Sequence, residues 1–235
     1  MAKKNKDISS SNLIKIKPIT EGQKSVFETW KQGKNQFLFG CAGTGKTFVS
    51  LYLAMQDVLS LQTKYDKVIL VRSLIPTREI GFLPGDEEDK AALYQVPYQN
   101  MVKFMFEQPN EQAFNMLYDR LKNQGSLYFL STSFLRGLTF DNSIIIVDEC
   151  QNLNFHELDT ITTRVGQDSK IIFCGDFSQT DLLKQNERNG LHDFLRILEE
   201  MQEFNCVEFN IGDIVRSGFV KNYLIQKTKL GMGME

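Results

Sequence analysis

Short apolar runs alternate along the chain with longer stretches in which apolar residues recur at helical spacing. The runs are rich in β-branched and aromatic residues, which is typical of strands covered on both faces. The predicted strands are Gln36–Phe39, Lys67–Val71, Ser126–Leu130, Ser143–Val147, Lys170–Cys174 and Cys206–Phe209. Because strands that alternate with helices form parallel sheets with crossover connections, the pattern predicts an α/β fold with a mostly parallel sheet.

Three of the intervening segments predict helices that pack against this sheet. Two of them carry a helical repeat, at Leu158, Ile161 and Val165, and at Leu191, Phe194, Leu195, Leu198 and Met201. The third, from Phe48 to Leu59, is apolar on nearly all sides. We therefore expect this third helix to lie deeply buried beside the sheet.

Two stretches interrupt the alternation. Residues 1–13 are rich in Lys, Ser and Asn, and we expect them to form a disordered tail outside the fold. Residues 76–124 begin with proline and glycine and continue with aromatic and Met positions, which predicts a helical and loop insertion, or lid, between two strands. Residues 14–235 are then expected to form a single domain around this insertion.

Composition narrows the class of protein. With 235 residues, 42% of them apolar, the chain has material for one well-packed core, and no apolar run approaches the roughly 20 residues that cross a bilayer. The basic start, MAKKNKD, lacks a following apolar stretch, so we expect a cytoplasmic protein. Four scattered cysteines indicate neither a zinc site nor disulfides. A net charge of −2 means that any polyanion must be bound by a local patch.

A glycine-rich motif opens the predicted buried helix. Residues 40–47, GCAGTGKT, fit G-x-x-x-x-G-K-[ST] between a strand and a helix. The motif predicts that backbone N–H groups of the loop surround a phosphate, that Lys46 contacts the β- and γ-phosphate oxygens and that Thr47 binds Mg²⁺ through its hydroxyl. The nucleotide-binding residues are then Gly40, Ala42, Gly43, Thr44, Gly45, Lys46 and Thr47. A glycine-rich turn without a ligand is the alternative.

An acidic pair ends the fourth predicted strand. In IIIVDE, residues 144–149, Asp148 is expected to bind Mg²⁺ through water, and Glu149 to polarise an attacking water. A kinase has less need of such a glutamate, so the pair favours hydrolysis over phosphoryl transfer to a hydroxyl. The alternative is that both carboxylates only cap a turn.

Three further polar residues complete the predicted site. Asp176 and Gln179 follow the fifth strand, and because the carboxyl ends of parallel strands share one edge of the sheet, we expect both near the γ-phosphate. Gln179 is a candidate sensor of that phosphate or else a polar turn residue. Gln23, upstream of the first strand, is placed to read adenine, since an amide can bond both N6 and N7. ATP is the predicted nucleotide.

These motifs together resemble the PhoH-like family of P-loop ATPases. The resemblance rests on GCAGTGKT, IIIVDECQN, IIFCGDFSQTDL and DIVRSGF, with GFLPGD and RGLTFDNS between them, and extends from about Ile19 to Tyr223. It implies a three-layer, RecA-like domain related to superfamily-one helicases, in a short single-domain form common in phages, which would place it in the host cytoplasm. It also implies that Gln151 and Gln179 sense the γ-phosphate and that Gln23 contacts adenine.

Three arginines match motifs of that family. Arg216 lies in DIVRSGF, where Ser217 stands in place of the usual histidine, while Arg164 lies in TRVG and Arg136 in RGLT. Each is a candidate for the cation that meets the charge developing on the γ-phosphate, or else a solvated or helix-end cation. Since the chain has one core, we expect a neighbouring protomer to complete the site in a ring, a hexamer as in relatives of this type.

Two classes of function remain open. The first is a helicase-like motor or remodeller driven by ATP along single-stranded RNA or DNA. Arg72, Ser73 and Arg78 follow the second strand, where helicases touch the backbone, and Phe82 either stacks on a base or fills a small lid core. The second is an ATPase switch that docks a protein partner without nucleic acid. Neither class involves a membrane.

Overall fold

One parallel sheet organises the molecule. The structure is a computed structural model that describes residues 7–73, 87–132, 135, 137–176 and 190–230. Its strands in these ranges are β1 (Asn35–Gly40), β2 (Lys67–Arg72), β3 (Leu127–Ser131), β4 (Ser143–Val147), β5 (Lys170–Cys174) and β6 (Phe204–Phe209). They lie in the order β3-β2-β4-β5-β1-β6, and every pairing is parallel. The predicted α/β fold and all six predicted strands are confirmed.

Helices cover both faces of this sheet. They are α1 (Glu21–Lys31), α2 (Lys46–Val58), α3 (Glu87–Phe106), α4 (Glu111–Asn123), α5 (Phe155–Thr162), α6 (Leu191–Glu200) and α7 (Gly218–Lys229). One buried apolar cluster packs the four helices α1, α2, α3 and α4 against one face of the sheet. A second cluster packs α5 and α6 against the other face. This is the three-layer arrangement that the sequence predicts. No helix in the described ranges is long and apolar enough to cross a bilayer.

The helical predictions hold except at the last position of each repeat, since Met201 lies just past the end of α6. The apolar residues of α2 are deeply buried, and α6 buries Leu191, Phe194, Leu195 and Leu198 as expected. The predicted repeat that ends at Val165 is wrong at its last position, because α5 ends at Thr162 and Val165 pairs instead with Phe140 in a β-bridge. The chain therefore leaves the helix to pair through its backbone with the segment before β4, and the Val165 side chain packs against the second apolar cluster.

The predicted amino-terminal tail is wrong for residues 7–13. Ile8 and Leu13 are both buried in the cluster around α2. Backbone hydrogen bonds fix the segment, from Ser10 N to Leu59 O at 3.1 Å and from Ile14 N to Met105 O at 2.9 Å. Isolated apolar residues in a polar stretch carry no periodic signal, so their burial depends on surfaces supplied by distant helices.

The predicted insertion is part of the core wherever the structure describes it. Helices α3 and α4 connect β2 to β3, and they bury Tyr98, Val102, Met105 and Leu121 against the sheet. They therefore form the crossover connection that parallel strands require and are not a lid over the fold. Residues 74–86, which include Arg78 and Phe82, lie outside the described residues.

A buried lysine begins β5. The Lys170 side chain is 2% exposed, and its Nζ donates to Trp30 O at 3.3 Å and lies 4.1 Å from the centroid of the Trp30 ring. Burial lowers the pKa of Lys170 to about 8, although Asp57 nearby favours the charged form. The folded protein therefore holds this proton less tightly than the unfolded chain does.

Replacing this lysine with methionine is expected to stabilise the protein at pH 7 by about 1 to 2 kcal/mol, since the change removes a desolvated charge at the cost of one cation–π contact. Between pH 8 and pH 10 the folded wild type loses its proton before the unfolded chain, so wild-type stability rises. The advantage of Lys170→Met should shrink over that window. Urea unfolding of both proteins at pH 7 and pH 9.5 measures the difference in their free energy of unfolding. A difference that is equal at both pH values would contradict the prediction.

Candidate nucleotide site

A cleft of about 810 Å³ opens at the carboxyl edge of the sheet. Strand β5 pairs with β1 on one side and with β4 on the other. The ends of these three strands therefore place Gly40, Asp148 and Asp176 side by side. Helix α3 and the segment Ile14–Ile19 form the outer walls of the cleft. This is the edge at which open α/β sheets bind ligands.

The loop between β1 and α2 forms the floor of the cleft. Gly40 has a φ of +118°, and a Cβ there would lie 2.1 Å from Phe209 O. Gly43 has a φ of +73°, and a Cβ there would lie 2.9 Å from Cγ of Arg216. Helix α2 begins at Lys46 without a side-chain cap, so the N–H groups of its first turn remain available to an anion. Thr44 is buried within the same loop.

Lys46 lies at the centre of this loop. Its side chain is 4% exposed, and Nζ donates to Cys41 O at 2.8 Å and to Gly40 O at 3.3 Å. The Asp176 carboxylate lies 2.6 Å from Nζ. A carboxylate oxygen thus lies beside Lys46, where the motif predicts phosphate. The predicted closeness of Asp176 to the γ-phosphate stays a prediction.

Thr47 and Asp148 meet on the other side of the loop. Thr47 Oγ1 donates to Asp148 Oδ1 at 2.6 Å. A hydroxyl and a carboxylate are the hard oxygen donors that Mg²⁺ prefers, so the two residues fit that ion. No group of three His, Cys, Asp or Glu side chains that could hold a metal occurs in the described residues. Any magnesium site here therefore depends on few protein ligands, as is usual when phosphate and water complete the coordination.

Asp148 has a second partner that no sequence motif predicts. Tyr98 of α3 is 1% exposed, and its hydroxyl donates to Asp148 Oδ2 at 2.6 Å. The Arg72 guanidinium at the end of β2 lies near the same phenol, and each group affects the pKa of the other. Arg72 is half-buried and lines the cleft, and its guanidinium also lies 5.6 Å from the centroid of the Tyr94 ring. An aromatic residue in a helix offers no local signal for a contact such as that of Tyr98.

Glu149 adopts an unusual backbone conformation. Its φ of 54° lies in the left-handed region, which is sparsely populated by residues other than glycine and is found at functional sites. Burial raises the pKa of Glu149, and the Asp148 carboxylate raises it further. Gln151 Nε2 donates to Glu149 Oε2 at 2.6 Å, and Gln151 Oε1 accepts from Asp176 N at 3.1 Å. Gln151 therefore connects the two strand ends.

Gln23 lies at the wall of the cleft and holds the loop. Its Nε2 donates to Thr44 O at 3.1 Å, and its Oε1 accepts from Ile19 N at 3.0 Å. Each atom keeps one further hydrogen-bonding position, because an amide has two donors and two lone pairs. Adenine recognition by Gln23 stays a prediction, now joined to a visible role in fixing Thr44.

The arginines separate into two groups. Arg216 lines the cleft and packs on Gly43, and the neighbouring Val215 N donates to Gly43 O at 3.0 Å. Arg164 is not part of the cleft: it follows α5, which runs back to the amino edge of the sheet, and its Nη1 donates to Leu138 O at 3.5 Å. A catalytic role of Arg164 stays a prediction, and this position requires that the arginine act on the cleft of a neighbouring protomer. Arg136 and Gln179 lie outside the described residues.

Comparisons with known proteins agree with this geometry. The family model described as PhoH-like protein matches residues 15–226. A PhoH-like protein of Synechocystis sp. is 33% identical over 186 residues, which are 79% of this chain and 54% of the relative. Protein PhoH of Escherichia coli K12 is 32% identical over 190 residues, 80% of this chain and 51% of that protein. The chain thus spans about half the length of these relatives.

A solved structure shares the fold. The large terminase from a thermophilic bacteriophage superposes with a TM-score of 0.52 at 13% identity, covering 88% of this chain and 50% of the terminase. Such a likeness concerns only the arrangement of strands and helices. With the family model matching nearly the whole sequence and the phosphate loop in the expected place, the chain belongs to the PhoH-like protein family.

Proposed function

We propose that the protein binds ATP with Mg²⁺ in this cleft and hydrolyses it. One observation carries the proposal: Lys46, the Thr47–Asp148 pair and Glu149 converge at the carboxyl edge of adjacent strands. Membership of the PhoH-like family supports it. The test is to measure phosphate release from ATP and from GTP, with and without Mg²⁺. The absence of Mg²⁺-dependent release from both nucleotides would contradict the proposal.

Each residue has a distinct role in the proposed reaction. Lys46 exchanges the Asp176 carboxylate for phosphate oxygens, while Thr47 and Asp148 hold the metal. Mg²⁺, when bound, neutralises charge on the phosphates. Glu149 accepts the proton of the attacking water, for which its raised pKa suits it, and Gln151 keeps its carboxylate in place. Arg216, beside the loop, meets the charge that develops on the γ-phosphate.

We further infer that hydrolysis serves action on single-stranded RNA or DNA. Support comes from the motifs shared with superfamily-one helicases. A second candidate is a switch that docks a protein, and α7 favours it: Phe219 is 83% exposed and lies one helical turn from the exposed Tyr223. Stimulation of hydrolysis by RNA or DNA, with binding that weakens steeply as salt rises, would favour the first. No nucleic-acid effect at low salt would favour the second.

We also infer that protomers assemble into a ring in which one completes the site of the next. Two observations support this. The exposed apolar residues of α7 lie close to Arg216 along the chain, and Arg164 does not line the cleft of its own chain. An interface between unlike surfaces closes into a ring when its rotation allows. Sedimentation that shows only monomer together with full ATPase activity would contradict the inference.

Mixing inactive variants identifies which arginine acts across the interface. A Lys46→Ala protomer keeps its own Arg164, so it can complete the intact cleft of an Arg164→Ala neighbour. Mixing these two variants should recover part of the activity. Arg216 packs on the loop of its own chain, so mixing Lys46→Ala with Arg216→Ala should recover none. The second mixture is the matched control for the first.

A further inference from the structure

The carboxylate of Asp148 is held from two sides by hydroxyl groups on different helices. Thr47 of α2 donates to Oδ1 and Tyr98 of α3 donates to Oδ2, each at 2.6 Å. Each carboxylate oxygen has about two lone-pair sites, so each keeps one for another donor such as a metal-held water. The two hydroxyls therefore determine in which directions Asp148 can still accept a hydrogen bond.

The phenol of Tyr98 is itself fixed. It is 1% exposed, its ring lies 5.7 Å from the Phe129 ring, and the Arg72 guanidinium lies nearby. A tyrosine hydroxyl is protonated at neutral pH, and that of Tyr98 donates its hydrogen bond to Asp148 Oδ2.

Tyr98 also lies beside an interruption in the hydrogen bonding of α3. It directly follows Pro97, which lies inside the helix and has no N–H to donate to the preceding turn. Pro97, Tyr98, Met101 and Phe104 all line the cleft. The hydroxyl of Tyr98 thus joins the acidic pair to a helix whose hydrogen-bond ladder is interrupted at the adjacent residue.

We propose that Tyr98 is a positioning residue that orients Asp148 for the metal and ties α3 to the metal site. The proposal rests on the proposed Mg²⁺–nucleotide site. In this role Tyr98 acts through the Asp148 carboxylate. Partners of this kind usually change metal affinity or activity about 10- to 100-fold when removed.

The test is Tyr98→Phe in the full chain, which removes one oxygen and keeps the ring. We expect Mg²⁺ to bind about 10- to 100-fold more weakly in a titration with fluorescent ADP. ADP binding in EDTA should be unchanged, because the phosphate loop is intact. Tyr118→Phe, which changes a buried tyrosine of α4 away from the cleft, is the matched control and should leave both affinities at wild-type values.

A double-mutant cycle separates positioning from general stability. In an Asp148→Asn background, Tyr98→Phe should lower Mg²⁺ affinity no further, because its target is already altered. An equal loss in both backgrounds, or wild-type Mg²⁺ affinity in Tyr98→Phe alone, would overturn the proposal. Failure of the wild-type chain to bind Mg²⁺–ADP would instead refute the proposed function. Hydrogen exchange in α3 gives a second readout: slowing on addition of Mg²⁺ should occur in wild type and be lost in Tyr98→Phe.

Discussion

Lys46→Ala is expected to abolish nucleotide hydrolysis, with a loss on the order of 10³-fold and a large loss of ADP affinity. The ammonium is buried among loop carbonyls and the Asp176 carboxylate, so the alanine variant leaves that carboxylate without its counter-charge. Phosphate in the loop would then meet the negative Asp176 and no neutralising cation. Phosphate release and calorimetric ADP binding measure the two losses.

The control for Lys46→Ala is Lys24→Ala, which also removes a lysine that is paired with a carboxylate. Lys24 pairs with Glu21 at 2.5 Å on the exposed surface of α1. Because exposed ion pairs contribute little, Lys24→Ala should leave both hydrolysis and ADP affinity unchanged. Circular dichroism and thermal unfolding of both variants would identify any loss of folded protein. Wild-type ADP affinity in folded Lys46→Ala would show that the loop is not the phosphate site.

The central strands are the part of the fold that the sequence predicts best. Strand β4 is buried along its whole length, so its apolar run is continuous and does not depend on which helices cover it. Helix α3 shows the opposite case. It contains Pro97 and exposes Leu93 and Phe104 while burying Tyr98, so its pattern indicates neither a regular helix nor a core position. Only the packing of the β2-to-β3 connection against the sheet explains which residues of α3 are buried.

The residues of the candidate site also differ in how well the sequence predicts their positions. Lys46, Asp148 and Asp176 follow strand ends, and the rule that parallel strands share one carboxyl edge brings them together without further information. Tyr98 lies 50 residues from Asp148 along the chain, and its role depends on the path of α3. The position of Arg164 likewise follows from the direction of α5 and not from the motif around it.

Glu149→Gln is expected to lower the rate of hydrolysis by about 10²- to 10⁴-fold while nucleotide binding is kept or strengthened. Glutamine has the same size and still accepts a hydrogen bond from Gln151, but it cannot take a proton from water. It also removes one negative charge beside Asp148, which eases the approach of phosphate. Single-turnover hydrolysis and equilibrium ADP binding distinguish the chemical step from affinity.

Two further variants make the assignment of Glu149 specific. Glu199→Gln removes an exposed carboxylate of α6 and should leave the rate unchanged. Glu149→Gly should be as inactive as Glu149→Gln, yet no less stable than wild type, because glycine adopts a φ of 54° without the strain that glutamate bears there. Glutamate in this conformation is then explained by chemistry and not by folding. Wild-type hydrolysis by folded Glu149→Gln would mean that another group activates the water, and a strong loss of stability in Glu149→Gly would mean that the side chain serves the fold.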